Sequence, residues 1–102
     1  MKVRYILAPE AALDLVRIWR YIKHNASLET ADRVESIIRS KIAYLARNPG
    51  AGHWRQDLTD EPVKFFPIYS YLIVYRPATS PTQVVAILHG RRDAVRLLKD
   101  RL

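Results

Sequence analysis

Two apolar stripes with the helical period lie between residues 9 and 47, and only a three-residue turn separates them. The first stripe has the i, i+3, i+4, i+7 spacing of one buried helix face. Its members are Leu15, Ile18, Trp19 and Ile22. The second stripe belongs to a helix predicted over residues 28–47, with Ser27 as its N-cap. Its members are Ala31, Val34, Ile38, Ile42 and Leu45, with Ile37 beside them. Helices joined by so short a turn should form an antiparallel hairpin.

The remainder of the chain has the composition of β-strands. Asn48-Pro49-Gly50 ends the second helix, and an irregular stretch continues to Pro62. Runs rich in β-branched and aromatic residues then predict a meander of three strands. These strands are Val63–Ile68, Tyr71–Arg76 and Thr82–His89. An alternating segment at residues 2–7 predicts a further strand at the start, and a short helix should begin near Asp93.

The resulting order, β-α-α-β-β-β-α, predicts an α+β domain that includes all of residues 1–102. We expect two layers, with the helical hairpin packed on one face of a mainly antiparallel sheet. The second face of such a sheet is commonly partly open to solvent, and we expect that here.

Composition restricts the class of partner and the compartment. The formal net charge of +7 favours anionic partners, either nucleic acid or an acidic protein surface, although a basic surface that only aids solubility is the alternative. The chain has no cysteine, so it has neither disulfides nor a thiolate metal site. It also lacks the ~20-residue apolar stretch of a membrane span and the apolar core of a signal peptide. We therefore expect a cytoplasmic protein that does not contact membranes.

Signatures of catalysis are sparse. The sequence contains no glycine-rich phosphate loop, nucleophile elbow or paired carboxylates. Its histidines, His24, His53 and His89, are scattered without the spacing of metal ligands. We expect no metal and no cofactor, and we assign no catalytic residue.

The candidate binding residues are mostly basic: Trp19, Arg55, Arg76, His89, Arg91 and Arg92. The turn between the last two strands places Arg76 near that turn and His89 at the opposite end. These two side chains need not meet, and Tyr71 is the expected neighbour of His89.

Several of these residues also have a purely structural interpretation. Trp19 fits the core of the helical hairpin. Arg55 could tie its loop to an acidic neighbour, and His89 could be a hydrogen-bonded structural residue. Arg92 could cap the last helix together with Asp93.

Taken together, the sequence resembles the ParE toxins of type II toxin–antitoxin systems over nearly its whole length. The motifs that carry the resemblance are Ala8-Pro9-Glu10-Ala11 with Asp14-Leu15, Ile18-Trp19-x-Tyr21-Ile22, Ala31-Asp32-Arg33, Pro49-x-x-Gly52-x-x-Arg55-x-x-Leu58, Phe66-Pro67, Tyr71-Leu72-Ile73-x-Tyr75-Arg76, and His89-Gly90-x-Arg92-Asp93 before Leu97-Leu98. Their order and spacing are more specific than any one of them alone.

The resemblance implies a toxin that a small ParD-like antitoxin neutralises through a flexible C-terminal segment. It further implies that the toxin binds and inhibits DNA gyrase. For the antitoxin we expect an apolar groove beside the helical hairpin, rimmed by Arg and Lys.

Relatives of the RelE type instead cleave messenger RNA in the ribosome without a metal. In that alternative Arg76, His89 and Arg92 would form the catalytic set. Arg76, Arg91 or Arg92 would bind the phosphate, and His89 or Tyr71 would carry the proton. The chain lacks the dense Lys/Arg set of the RelE pattern after its second helix, and no tyrosine follows Asp93. We therefore favour a gyrase inhibitor that is not an enzyme and leave direct nucleic-acid binding open. An adaptor domain that binds acidic proteins is the third hypothesis.

Overall fold

The computed structural model describes residues 4–90 and 94–102. Its elements in chain order are β1 (Tyr5–Leu7), α1 (Pro9–Asn25), α2 (Leu28–Arg47), a 3-10 turn (Pro49–Ala51), β2 (Lys64–Ile68), β3 (Tyr71–Arg76), β4 (Thr82–His89) and α3 (Ala94–Arg101). The predicted α+β class and element order are confirmed. The predicted helix start near Asp93 and the first residues of the first strand lie outside the described residues. Among the described helices, none is long and apolar enough to cross a membrane.

The four strands form one mixed sheet in the order β1-β4-β3-β2. β1 runs parallel to β4, whereas the β2–β3 and β3–β4 pairs are antiparallel. Val74 lies opposite Ala86 and Tyr75 lies opposite Val84, so Val85 is an extra residue in β4. This bulge reverses the alternation of β4 in mid-strand. As a result Val85 and Ala86 both belong to one side of the sheet, while Val84 and Ile87 belong to the other.

The helical hairpin covers one face of the sheet. α2 begins at its predicted cap, where Ser27 Oγ accepts a hydrogen bond of 3.1 Å from the backbone N–H of Thr30. The predicted face of α2 is buried, with Ile38 and Ile42 fully shielded from solvent. Together with Leu15 and Ile18 of α1, these side chains pack against the tyrosine and isoleucine residues of β3.

The second face of the sheet is also covered, which corrects the expectation that it would be partly open. Leu72, Val74 and Val85 are buried on that side against Ala94 and Leu98 of α3. β3 is consequently buried on both faces, which explains its continuous apolar run. The short C-terminal helix therefore supplies a third layer over this part of the sheet.

A buried carboxylate joins the two helical layers. β1 ends opposite Val84, so the edge of β4 beyond that point has no strand partner. Asp14 of α1 occupies this position, and its Oδ2 accepts a 2.9 Å hydrogen bond from the backbone N–H of Ile87. Arg101 of α3 forms a bidentate ion pair with the same carboxylate, with Nη2 2.8 Å from Oδ1, and its Nε lies 2.9 Å from Glu10. The hydrogen bonds from Arg101 to Asp14 raise the pKa of the guanidinium.

The hydroxyl of Tyr75 fastens the loop after α2 to the sheet. It donates a 2.7 Å hydrogen bond to the carbonyl of Pro49 and accepts one of 2.9 Å from the N–H of Gly52. A β-carbon at Gly52 would lie 2.5 Å from this hydroxyl and 2.8 Å from Cε1 of the same ring. Position 52 therefore requires glycine because the tyrosine ring occupies the space of a side chain.

The outer edge of β2 is closed to further strand pairing. His53 forms hydrogen bonds of 2.8 Å in both directions with the backbone of Phe65. Two residues further along the same edge, Pro67 has no N–H to offer. An extended chain therefore has no run of free backbone groups to pair with on this side.

We predict that Gly52→Ala lowers the free energy of unfolding by about 1–3 kcal/mol, because the new methyl group must displace the buried Tyr75 ring. Gly50→Ala is the matched control, because no atom lies within 4 Å of the added carbon there. Urea denaturation of both variants provides the measurement. Equal midpoints for the two would contradict the close contact at Gly52.

We predict that Arg101→Ala destabilises the protein by about 3 kcal/mol, because it leaves the buried Asp14 carboxylate without its counter-charge. Lys99→Ala on the exposed face of the same helix removes the same charge and is the control. Thermal and urea unfolding should separate the two variants clearly. If Arg101→Ala lowered the free energy of unfolding no more than Lys99→Ala does, the ion pair would contribute little to stability.

Candidate interaction site

The structure separates the predicted site residues into different parts of the molecule. Tyr71 pairs with His89 at one end of the β3–β4 ladder, and Arg76 pairs with Gln83 at the other. The predicted neighbours Tyr71 and His89 are confirmed, and Arg76 and His89 lie apart as expected. Arg91 and Arg92 lie outside the described residues.

Trp19 lies at the rim of the helical hairpin rather than in the core, which corrects its structural interpretation. The side chain is only half-buried, and its Nε1 donates a 2.8 Å hydrogen bond to Oδ1 of Asp32 on α2. The ammonium of Lys23 lies 5.1 Å from the ring centroid. A shallow cavity of about 430 Å³ beside the ring is lined by α1 residues alone: Trp19, Arg20, Lys23 and His24.

Arg55 ties its loop to an acidic neighbour, as the structural interpretation predicts. Its Nε and Nη2 donate hydrogen bonds of 2.9 and 2.7 Å to the two carboxylate oxygens of Asp57. These hydrogen bonds raise the pKa of Arg55. Because Asp57 is largely exposed, such a pair stabilises the fold by no more than ~1 kcal/mol.

A further candidate site lies where α1 crosses the end of the β3–β4 pair. A cavity of about 250 Å³ there is lined by Arg17, Ile18, Tyr21, Tyr71 and His89, and we call it the tyrosine cavity. The ring centroids of Tyr71 and His89 lie 5.1 Å apart at an interplanar angle of 37°. The lining therefore contains two tyrosines, a histidine and an arginine together with the apolar Ile18.

The polar groups of this cavity can bind an oxyanion. Burial, together with the nearby Tyr21, raises the pKa of the Tyr71 phenol, which stays a hydrogen-bond donor at neutral pH. Arg17 is exposed and forms no ion pair with any carboxylate in residues 4–90 or 94–102. The tyrosine cavity thus presents a cation and donors without an acidic group in its lining.

Turn geometry fixes this end of the sheet. Tyr69 at the β2–β3 turn has φ = 54°, a left-handed conformation that is uncommon for a residue with a side chain. Gly90 has φ = 72°, which glycine adopts without strain. The N–H of Gly90 donates a 2.8 Å hydrogen bond to the carbonyl of Ser70. This bond holds the end of β4 next to the start of β3 and keeps His89 against Tyr71.

The sequence interpretation did not identify Arg17 and Tyr21 as site residues. Their i, i+4 spacing beside the apolar stripe places them on one flank of α1. That spacing alone does not reveal which strand end the flank faces. The contact with Tyr71 and His89 depends on how the hairpin lies across the sheet.

A second missed feature is a series of lysine–aromatic contacts along α2 and β2. The ammonium of Lys41 lies 5.0 Å from the ring centroid of Tyr44 and 5.3 Å from that of Phe66. Lys64 lies 4.9 Å from the ring of Trp54. In the part of the chain that the structure describes, no group of three His, Asp or Glu side chains is placed to hold a metal ion.

Comparisons with known proteins agree on one family. A family model described as the ParE toxin of a type II toxin–antitoxin system, parDE, matches residues 5–94. A solved structure described as the chromosomal ParDE toxin–antitoxin system from P. aeruginosa superposes with a TM-score of 0.70 at 19% identity. The alignment covers 87% of this chain and 97% of that one, and at this identity it establishes a shared fold. No curated protein matches the sequence.

We predict that the free energy of unfolding falls as the pH rises above about 10, the ordinary pKa of tyrosine. The folded protein holds the Tyr71 proton more tightly than the unfolded chain, so unfolding releases it throughout the interval between the two pKa values. Urea unfolding at a series of alkaline pH values should give a smaller fall for Tyr71→Phe. Identical pH dependence in the two proteins would contradict the burial of this phenol.

Proposed function

Because this chain belongs to the ParE toxin family of type II toxin–antitoxin systems, we propose that it arrests growth by binding DNA gyrase and that a ParD-like antitoxin silences it. The match to the family model over residues 5–94 is the observation that carries this proposal. Gyrase is the target that the family resemblance implies. The action is binding to the enzyme, not chemistry on it.

The positions of the predicted catalytic residues support binding over cleavage. Arg76 and His89 lie at opposite ends of the β3–β4 pair, so they cannot act on one phosphate. The two described members of the predicted catalytic set are therefore separated, and the third, Arg92, lies outside the described residues. A toxin that works by contact needs no such convergence of groups.

The surface of α1 supports an acidic polypeptide as the silencing partner. Leu13 and Val16 are exposed at i, i+3 on this helix, and Arg17 and Arg20 flank them. Apolar side chains bordered by cations suit an amphipathic acidic segment. The net charge of +7 also favours an acidic partner.

A supercoiling assay with purified gyrase and relaxed plasmid tests the toxin half of the proposal. We expect inhibition that rises with toxin concentration, whereas relaxation by topoisomerase I, the control enzyme, is unaffected. Toxin unfolded by heat should have no effect. Full supercoiling at every toxin concentration would refute gyrase as the target.

A metal-independent ribonuclease is the second candidate, because Tyr71 and His89 are in ring contact beside Arg17. An imidazole and a phenol can move protons while a guanidinium binds the phosphate. In a translating extract we expect no toxin-dependent cleavage of messenger RNA. Cleavage that His89→Ala and Arg17→Ala abolish would replace gyrase binding with this activity. Failure of both assays would favour the adaptor hypothesis.

A further inference from the structure

The tyrosine cavity includes a hydroxyl that makes no hydrogen bond to another described residue. Tyr71 is 8% exposed, yet its hydroxyl has no hydrogen-bond partner among the described residues. No buried side-chain oxygen or nitrogen in those residues lacks a partner, so this hydroxyl reaches solvent. Tyr71 is one of the residues that line the cavity. This hydroxyl therefore remains available to a hydrogen-bond acceptor that a partner supplies.

The charges on α1 change sign along the flank that faces this cavity. Glu10 and Asp14, near the start of the flank, are both paired with Arg101. Further along the same flank, Arg17 has no carboxylate partner in the described chain. Arg17, Tyr21, Tyr71 and His89 line a space of about 250 Å³, which is enough for a side chain of a partner.

Exposed apolar residues lie on the same helix as Arg17 and Tyr21. Leu13 is 51% exposed, Val16 is 40% exposed, and Tyr21 at the cavity rim is 62% exposed. A partner that covers this face must bury apolar area as well as neutralise a charge. A polypeptide with apolar and acidic side chains can do both, whereas a nucleic-acid backbone supplies only the charge.

We propose that the tyrosine cavity receives a glutamate or aspartate of the silencing polypeptide, with an adjacent apolar residue seated over Ile18. The carboxylate accepts hydrogen bonds from Tyr71 and Tyr21 and pairs with Arg17, while His89 borders the opening. This inference rests on the proposed function, because it assigns the anchor point of the antitoxin. The inference assigns one specific carboxylate-binding site on a surface that is otherwise described only as basic.

The test uses acetyl-glutamyl-leucine amide as the probe, titrated into the isotope-labelled toxin and followed by two-dimensional proton–nitrogen NMR. We expect shifts concentrated at the backbone amides of Tyr71, His89 and Gly90, with a dissociation constant in the millimolar range. Acetyl-glutaminyl-leucine amide, which has the same shape without the charge, should bind about tenfold more weakly. Equal binding of the two peptides would overturn the proposal, as would shifts that map elsewhere.

Variants of the toxin locate the contact. Arg17→Ala should weaken binding of the glutamyl peptide about tenfold. Tyr71→Phe, which removes only the hydroxyl, should weaken that binding about threefold. Arg33→Ala, an exposed arginine on α2, is the charge-matched control and should leave binding unchanged. Retained spectral dispersion shows that each variant is folded. Equal losses from Arg17→Ala and Arg33→Ala would mean that only net charge matters and would refute the site.

Two further measurements distinguish failure of the anchor site from failure of the proposed target. Uridine 5′-monophosphate tests the nucleic-acid alternative, and tighter binding of this nucleotide than of the glutamyl peptide would overturn the proposal. The supercoiling assay is independent of the titration. If the parent toxin does not inhibit gyrase, the proposed target fails regardless of the NMR result. If gyrase is inhibited but the peptides do not discriminate by charge, only the anchor site fails.

Discussion

The arrangement of the whole molecule depends on the carboxylate of Asp14. It accepts a hydrogen bond from the N–H of Ile87, on the edge of β4 where the pairing with β1 has already ended. It also binds the guanidinium of Arg101. One side chain thereby links α1 on one face of the sheet to β4 and to α3 on the other face. A buried carboxylate without those donors would carry a large desolvation penalty, so helices and sheet must assemble together. The C-terminal helix is thus a part of the core and not an appendage.

The same flank of α1 serves both the fold and the candidate site. Near its start, Glu10 and Asp14 are satisfied from within the chain by Arg101. Arg17, about one turn beyond Asp14, forms no ion pair within the described residues, and together with Tyr21, a further turn along, it lines the tyrosine cavity. Because Asp14 fixes how α1 crosses the sheet, it also fixes the distance between Tyr21 and the end of β3. The site is thus positioned by a structural ion pair that is not part of its lining.

Most of the fold could be predicted because its boundaries are chemically marked. Ser27 caps α2, Asn48-Pro49-Gly50 ends it, and the bounds of β3 and β4 agree with the apolar runs. The covering of the second sheet face was missed, because the docking of α3 depends on Arg101 meeting Asp14, 87 residues away in sequence. The tyrosine cavity was half predicted: strand register gives the Tyr71–His89 pair, but the contribution of α1 follows from tertiary packing alone. The spacing of apolar residues identifies the buried face of each helix or strand. It does not identify which helix flank contacts which strand end.

The blocked edge of β2 has a consequence for the free toxin in solution. With Phe65 already paired to His53 and no N–H at Pro67, one side of the sheet cannot template the addition of another copy. Stacking of chains into fibrils through that margin is disfavoured even at high concentration. Addition of further strands to the sheet is therefore confined to its opposite margin, where β1 is only three residues long.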